Sequence, residues 1–109
     1  MSERQEGGAD RTIAERPAAE VMLTVSHPSG LHLRPAAQFV QTALRFDSDI
    51  RLSNLSRPRA PDVDGKSMFG LMQCGVSPGH QIRISATGHD ADEAVAALRT
   101  LIEHDFEER

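Results

Sequence analysis

The chain has 109 residues, with 12 Lys+Arg against 16 Asp+Glu, a net charge of -4, 39% hydrophobic residues and 26% charged ones. That is one compact domain, able to bury somewhat over ~60% of its unfolded surface, with no room for a second core. No apolar run approaches the roughly 20 residues of a bilayer span, Met1–Glu20 holds no secretory apolar region, and the single Cys74 excludes an internal disulfide and a Cys-based zinc site. With no Trp, no Tyr and an acidic balance, a nucleic-acid surface has neither its usual charge nor its stacking platforms. A small cytoplasmic protein without membrane insertion, metal or cofactor is expected.

Met1–Glu20 carries three Arg and five acidic residues, and Ile13 is its only large apolar residue after Met1. It cannot bury enough apolar surface to offset its ordering entropy, so a disordered arm over residues 1–20 is expected, with the folded domain at 21–109. Periodicity starts at Val21. Val21, Leu23 and Val25 alternate with Met22 and Thr24, as in a strand with one buried face. Ser26–Gly30 interrupts this with turn residues. Leu33, Ala36, Ala37, Val40, Ala43 and Leu44 then fall on one face at helical spacing. Asp49–Ser53 alternates again, with Ile50 and Leu52 facing in. Asn54–Asp62 is polar, holds Pro58 and Pro61, and reads as a loop, followed by a short edge strand within Pro61–Asp64. Ser67–Cys74 reads as a short helix with Ser67 at the N-cap and Gly75 just past the end. Gln81–Thr87 alternates through Ile82, Ile84 and Ala86. Ala91, Ala94, Val95, Leu98, Leu101 and Ile102 form the stripe of a last helix. The order β-α-β-β-α-β-α predicts an α+β two-layer sandwich, one sheet with helices covering one face.

Gly30-Leu31-His32-Leu33-Arg34-Pro35-Ala36 departs from this generic pattern. Gly30 permits a backbone conformation that other residues resist. His32 falls at or next to the N-cap of the first helix. Pro35 suits a first helical turn, where its missing N–H has no partner to lose. The free amides of that turn, with the helix dipole, attract an anion, and Arg34 adds mobile positive charge. A positive helix end disfavours the imidazolium, and a neutral ring is a nucleophile. A phosphoryl group taken by His32 would sit against backbone N–H groups and Arg34, and phosphoryl transfer needs mainly positioning and charge stabilisation. Ser29, Gly30, Leu33 and Pro35 are the residues of that phosphate-cradling loop and helix start. On composition and spacing alone, a plain capping or loop histidine is the favoured reading, since anion-ready helix starts are common.

Gly30–Ala36 resembles the active-site signature of the histidine-containing phosphocarrier (HPr) family of the bacterial phosphoenolpyruvate:sugar phosphotransferase system: glycine, aliphatic, histidine, any residue, arginine, proline, alanine. Lys66–Met72 resembles the family's regulatory-serine helix, and Gly79, Gly88 and Asp90 also stand at the family's positions. The resemblance covers roughly Val21 to Phe106 and implies an α+β open-faced sandwich, a four-stranded antiparallel sheet with three helices on one face. It implies that His32 accepts phosphoryl on Nδ1, that Arg34 stabilises the phosphohistidine, and that Ser67 is the target of an HPr serine kinase where one exists. It also implies Enzyme I and Enzyme IIA-type proteins as partners, a monomer, and docking through Met68, Phe69 and Met72, which cannot all face the core together with Leu71.

Two features depart from the family pattern: the loop Asn54–Asp62 is longer, with Arg57-Pro58-Arg59 in it, and the arm before Val21 is extra. Three alternatives stand beside the sugar-uptake relay. One is a paralogue serving nitrogen regulation or dihydroxyacetone phosphorylation. Another is a regulatory module acting through Ser67, against which the retained His32 counts. The third, a small acid-phosphate hydrolase, needs an Asn or Gln beside Arg34 to orient water, and neither is present. His27, His80, His89 and His104 lack metal-ligand spacing, Cys74 reads as a buried small hydrophobe, and Glu103–Glu108 reads as a solvated helix end.

Overall fold

The computed structural model describes residues 18–106. The expectation of a disordered arm lies, up to residue 17, outside the described residues; Ala19 and Glu20 are already in the first strand. The elements are β1 (Ala19–Thr24), α1 (Leu33–Ala43), β2 (Asp49–Asn54), β3 (Val63–Asp64), α2 (Met68–Gln73), β4 (Gln81–Thr87) and α3 (Ala91–Glu103). The strands form one antiparallel sheet in the order β1-β4-β2-β3, so the expected α+β sandwich is the observed one.

Alternation decides which face of the sheet is covered. Ile84 pairs with Val21 on one side and Leu52 on the other, and Ile50 pairs with Ala86, so the apolar partners share the helix-covered face. Glu20, Arg51, Arg83 and Ser85 occupy the open face, where Arg83 meets Glu20 at 3.4 Å and Arg51 meets Asp49 at 3.5 Å. The core joins this sheet to Leu31, Ala36, Phe39, Leu71, Val76, Ala94, Leu98 and Ile102.

Three sequence expectations need correction. Leu33 and Leu44, at the ends of the apolar stripe of α1, are exposed, while Phe39 and Gln38 are buried. The helix is too short for its end residues to lie over the sheet, and Phe39 takes their place. Asn54 is the last residue of β2 rather than the first of a loop, and it is buried at 3% exposure. Its side-chain amide donates to the carbonyl of Cys74 at 3.0 Å, and its Oδ1 accepts from the N–H of Ser56. The tail after α3 is not simply solvated, because Phe106 is 4% exposed and belongs to the core. Asp105 and Phe106 both take positive φ, and the Phe106 N–H bonds the Leu101 carbonyl at 2.8 Å, which folds the chain back over the helix end.

Asp90 opens α3 without capping it. Its carboxylate instead accepts from the N–H of Asp47 (2.8 Å), the N–H of Ser48 (3.0 Å) and the Ser48 hydroxyl, tying the start of α3 to the turn that follows α1. The Ser48 hydroxyl foremost, and the Asp47 N–H after it, hold the Asp90 carboxyl down to about 2. A depressed carboxylate stabilises the fold above its ordinary value near 3.8, and that stability is lost as pH falls towards about 2. The urea midpoint of the wild type is therefore expected to drop between about pH 4 and pH 2, and that of Asp90→Asn to drop less over this window. Parallel pH profiles for the two proteins would contradict this role of Asp90.

Candidate functional site

The chain leaves β1 at Thr24 and reaches α1 through a loop built by its own backbone. Gly30 N–H bonds the His27 carbonyl at 2.8 Å, and His32 N–H bonds the Ser29 carbonyl at 3.2 Å. Gly30 sits at φ +60, where a Cβ would lie 2.2 Å from the Val76 carbonyl oxygen, so both the backbone angle and the packing require glycine. The neighbouring Leu31 is buried, and its N–H donates to that same Val76 carbonyl at 3.0 Å. An apolar anchor thus fixes the chain one residue before His32.

His32 is the N-cap residue of α1. Its backbone is extended, its carbonyl accepts the Ala36 N–H at 2.8 Å, and its side chain makes no capping hydrogen bond. The ring is exposed, as are Leu33 and Arg34, whereas Pro35 and Ala36 are buried against the core. The expected cradle is narrowed by the hydrogen-bond pattern. The Ser29 N–H is taken by the His27 Nδ1 at 3.0 Å, the Gly30 N–H by the His27 carbonyl, and Pro35 has none. The N–H groups of Leu33 and Arg34 have no partner among the described residues. Gly30 and Pro35 thus offer no N–H to an anion, whereas Leu33 and Arg34 do. No acidic residue occupies the first turn of α1, and Arg34 has no ion-pair partner among the described residues, so nothing competes there for an incoming anion.

Ser67 is the N-cap of α2, and its hydroxyl accepts the Gly70 N–H at 3.0 Å. Gly75, at φ +63, follows the last helical turn as expected. Replacing Ser67 with alanine removes this cap and is expected to lower stability by about 1 kcal/mol, measured as a shift in the urea midpoint; an unchanged midpoint would show that the short helix is held by packing alone. Of the three docking candidates, Phe69 is 73% and Met72 40% exposed, but Met68 is half-buried and packs on the core. The helical spacing turns Met68 inward beside Leu71. Leu33, in the apolar stripe of α1, is 68% exposed and is a further exposed apolar side chain, on the α1 side. Helices α1 and α2 pack against each other.

The histidines that carry no motif have structural work to do. His27, besides accepting from Ser29, stacks edge-on against Phe106 with ring centroids 5.7 Å apart. His80 accepts from Ser77 and contacts Asn54. His89 lies 3.0 Å from the Asp47 carboxylate, and that hydrogen bond raises its pKa. Asp47, His89 and Asp90 bring ligand-type atoms together, but the Asp90 oxygens already accept from the 47–48 turn. Cys74 is buried, which pushes its thiol pKa up and makes it a poor nucleophile. The Arg57 side chain of the long loop lies across Gly75, where a Cβ would strike its guanidinium.

The molecule is an open-faced sandwich with an exposed imidazole at the head of its first helix. The family model "PTS HPr component phosphorylation site" matches residues 15–104, and the chain belongs to that family, the phosphocarriers of the phosphotransferase system. It is 40% identical over 86 residues to "Phosphocarrier protein HPr" of Xylella fastidiosa, covering 79% of this chain and 92% of that one. The crystal structure of HPr-C-His from Thermoanaerobacter tengcongensis superposes with a TM-score of 0.75 at 43% identity, over 84% of this chain and 98% of that one. A third relative is a "Multiphosphoryl transfer protein" of Escherichia coli O157:H7, 34% identical over 90 residues, which are 80% of this chain. The chain spans only 24% of the length of that protein. Among the described residues, no helix is long and apolar enough to cross a membrane.

Proposed function

We propose that the protein accepts a phosphoryl group on His32 from a phosphohistidine of an Enzyme I-type donor, itself charged by phosphoenolpyruvate, and passes it to an Enzyme IIA-type acceptor in sugar uptake. The observation that supports this best is the state of the α1 start. Among the described residues the exposed His32 ring and the Leu33 and Arg34 N–H groups have no partner, and the first turn holds no carboxylate. In the step proposed, the Nδ1 lone pair of a neutral His32 ring attacks phosphorus. A new P–N bond forms as the donor's P–N bond breaks, and the donor imidazole keeps the electron pair. The proton on His32 Nε2 need not move. The charge on the transferred group is met by the Leu33 and Arg34 N–H groups, in place before the group arrives, and by the mobile Arg34 guanidinium. Leu33, Phe69 and Met72 supply an apolar surface around it for partners, and flexible Met and Phe side chains suit more than one of them.

The same residues would act in a paralogue serving nitrogen regulation or dihydroxyacetone phosphorylation, with other partners. Regulation at Ser67 is the second element of the proposal. A phosphate there would sit at the start of a helix, where the dipole tolerates it, next to exposed Phe69. It would act by repelling an acidic partner, not by unfolding α2. The proposed protein works as a cytoplasmic monomer and carries no metal or cofactor. The test is incubation with phosphoenolpyruvate and a purified bacterial Enzyme I, followed by intact mass. One acid-labile phosphoryl group per chain supports the relay. No addition, in a tube where a known HPr is charged, would overturn it and turn attention to Ser67 and a protein kinase.

A further inference from the structure

The loop carrying His32 is held by a second loop, and one side chain closes that second loop. Val76–His80 connects α2 to β4 and lies under the segment between β1 and α1. Val25 N–H donates to the His80 carbonyl at 2.9 Å and Gly79 N–H to the Val25 carbonyl at 2.7 Å, while Leu31 N–H donates to the Val76 carbonyl at 3.0 Å. Both ends of the segment leading to His32 are thus bonded to the two ends of Val76–His80. The spacing between those anchor points depends on how that loop is folded.

The loop is closed by its own backbone bond, His80 N–H to the Ser77 carbonyl at 3.0 Å, and by the His80 side chain. Its half-buried ring turns back over its own loop, and Nδ1 accepts the Ser77 N–H at 3.1 Å. A backbone N–H can only donate, so Nδ1 carries a lone pair and the ring proton is on Nε2. The same Nδ1 lies 3.2 Å from the Asn54 side-chain amide, which donates as well. Asn54 is buried at the end of β2 and also bonds the Cys74 carbonyl, at the C-terminal end of α2. Sheet, helix and loop therefore converge on one ring nitrogen. Without it, the Ser77 N–H loses its acceptor and the Asn54 amide is left with the Cys74 and Gly75 carbonyls at 3.0 and 3.4 Å, so the Val76 carbonyl that holds Leu31 is less firmly placed.

We infer that His80 is a positioning residue for phosphoryl transfer: by accepting at Nδ1 from Ser77 and Asn54 it fixes the Val76–His80 loop, and through Val76 and Leu31 it holds the His32 backbone at the start of α1. The inference rests on the relay proposed above for its kinetic consequence, though not for its structural one. His80 touches no transferred group, so its loss should slow transfer without weakening partner binding, because a small misplacement of a reacting group costs rate far more than affinity.

The test compares His80→Ala with His80→Asn, whose amide oxygen takes the place of Nδ1 as acceptor. Two readouts are used on the full-length proteins. In the first, Enzyme I and phosphoenolpyruvate charge each carrier at varied carrier concentration. His80→Ala is expected to lower kcat by about 10-fold with KM changed less than about twofold, and His80→Asn to recover most of the loss. In the second, which needs no partner, the amide resonances of Leu31 and His32 are expected to move in His80→Ala and to return towards wild type in His80→Asn. An unchanged kcat and unmoved Leu31 and His32 resonances in a folded His80→Ala protein would overturn the inference. An equal kcat loss in both variants would do so too. A wild type that Enzyme I never charges would sink the relay instead, leaving the resonance test to decide on His80. If His80→Ala is unfolded at the assay temperature, His80→Gln replaces it, since its longer side chain places the oxygen elsewhere; Gln matching Asn in both readouts would also overturn the inference.

Discussion

Replacing His32 with alanine is expected to reduce phosphoryl acceptance by roughly 10³-fold or more, because no other group can take over a covalent step. The fold should scarcely notice. The ring is exposed, makes no capping hydrogen bond, and leaves the Ala36-to-His32 backbone bond intact. The stability change is therefore expected to stay within about 1 kcal/mol, read from urea unfolding of both proteins. The contrast between a lost function and an unaltered fold is what distinguishes a reacting side chain from a structural one. A variant that still accepts phosphoryl at a rate near that of the wild type would remove His32 from the mechanism.

A combined loss of fold and function is expected two residues earlier. Gly30→Ala places a Cβ 2.2 Å from the Val76 carbonyl oxygen and 3.0 Å from the Ser77 Cα, both backbone atoms that cannot step aside as a side chain would. The residue must also keep φ near +60, a region that costs an L-residue about 1–2 kcal/mol by itself. Together with displacement of the loop, a loss of about 3 kcal/mol is expected. Because Val76 also accepts the Leu31 N–H, the displacement passes directly to the residue before His32. Gly30→Ala should then lose both urea stability and transfer rate, where His32→Ala loses only the second. A Gly30→Ala protein as stable as wild type would mean that the loop relaxes freely, and that Val76 does not anchor it.

Much of this was legible from the order of residues, and the reasons are local. The β-α-β-β-α-β-α order follows from period-2 and period-3.6 apolar patterns that do not depend on partners, and β4 was read to the residue as Gln81–Thr87. The start of α1 and the Ser67 cap follow from backbone rules acting within a few residues. What was missed depends on contacts between distant segments. Asn54 looks like a loop residue because it is polar, and only the end of α2 and the His80 ring, both far along the chain, make its burial sensible. Phe106 sits in an acidic run, and its burial depends on the turn through Asp105 that brings it under His27. Leu33 and Leu44 fit the apolar stripe of α1 but lie beyond the sheet that the helix covers.

The site shows the same division. Gly30, His32 and Arg34 could be picked out because the chemistry of a helix start is written in consecutive residues. Which amides remain free could not be, since that depends on His27 taking the Ser29 N–H. Likewise, nothing in the spacing of the histidines separates His80, folded over its own loop, from the exposed His89 beside Asp47.

The central claim is that His32, out of five histidines and Ser67, is the residue that carries phosphoryl. The most direct measurement is to charge the wild-type protein with phosphoenolpyruvate and Enzyme I, digest it at alkaline pH to preserve phosphohistidine, and locate the modification by peptide mass. The modification is expected at His32 alone, with loss on brief acid treatment. An acid-stable phosphate on Ser67, or phosphoryl on His27, His80, His89 or His104 with His32 unmodified, would contradict the account.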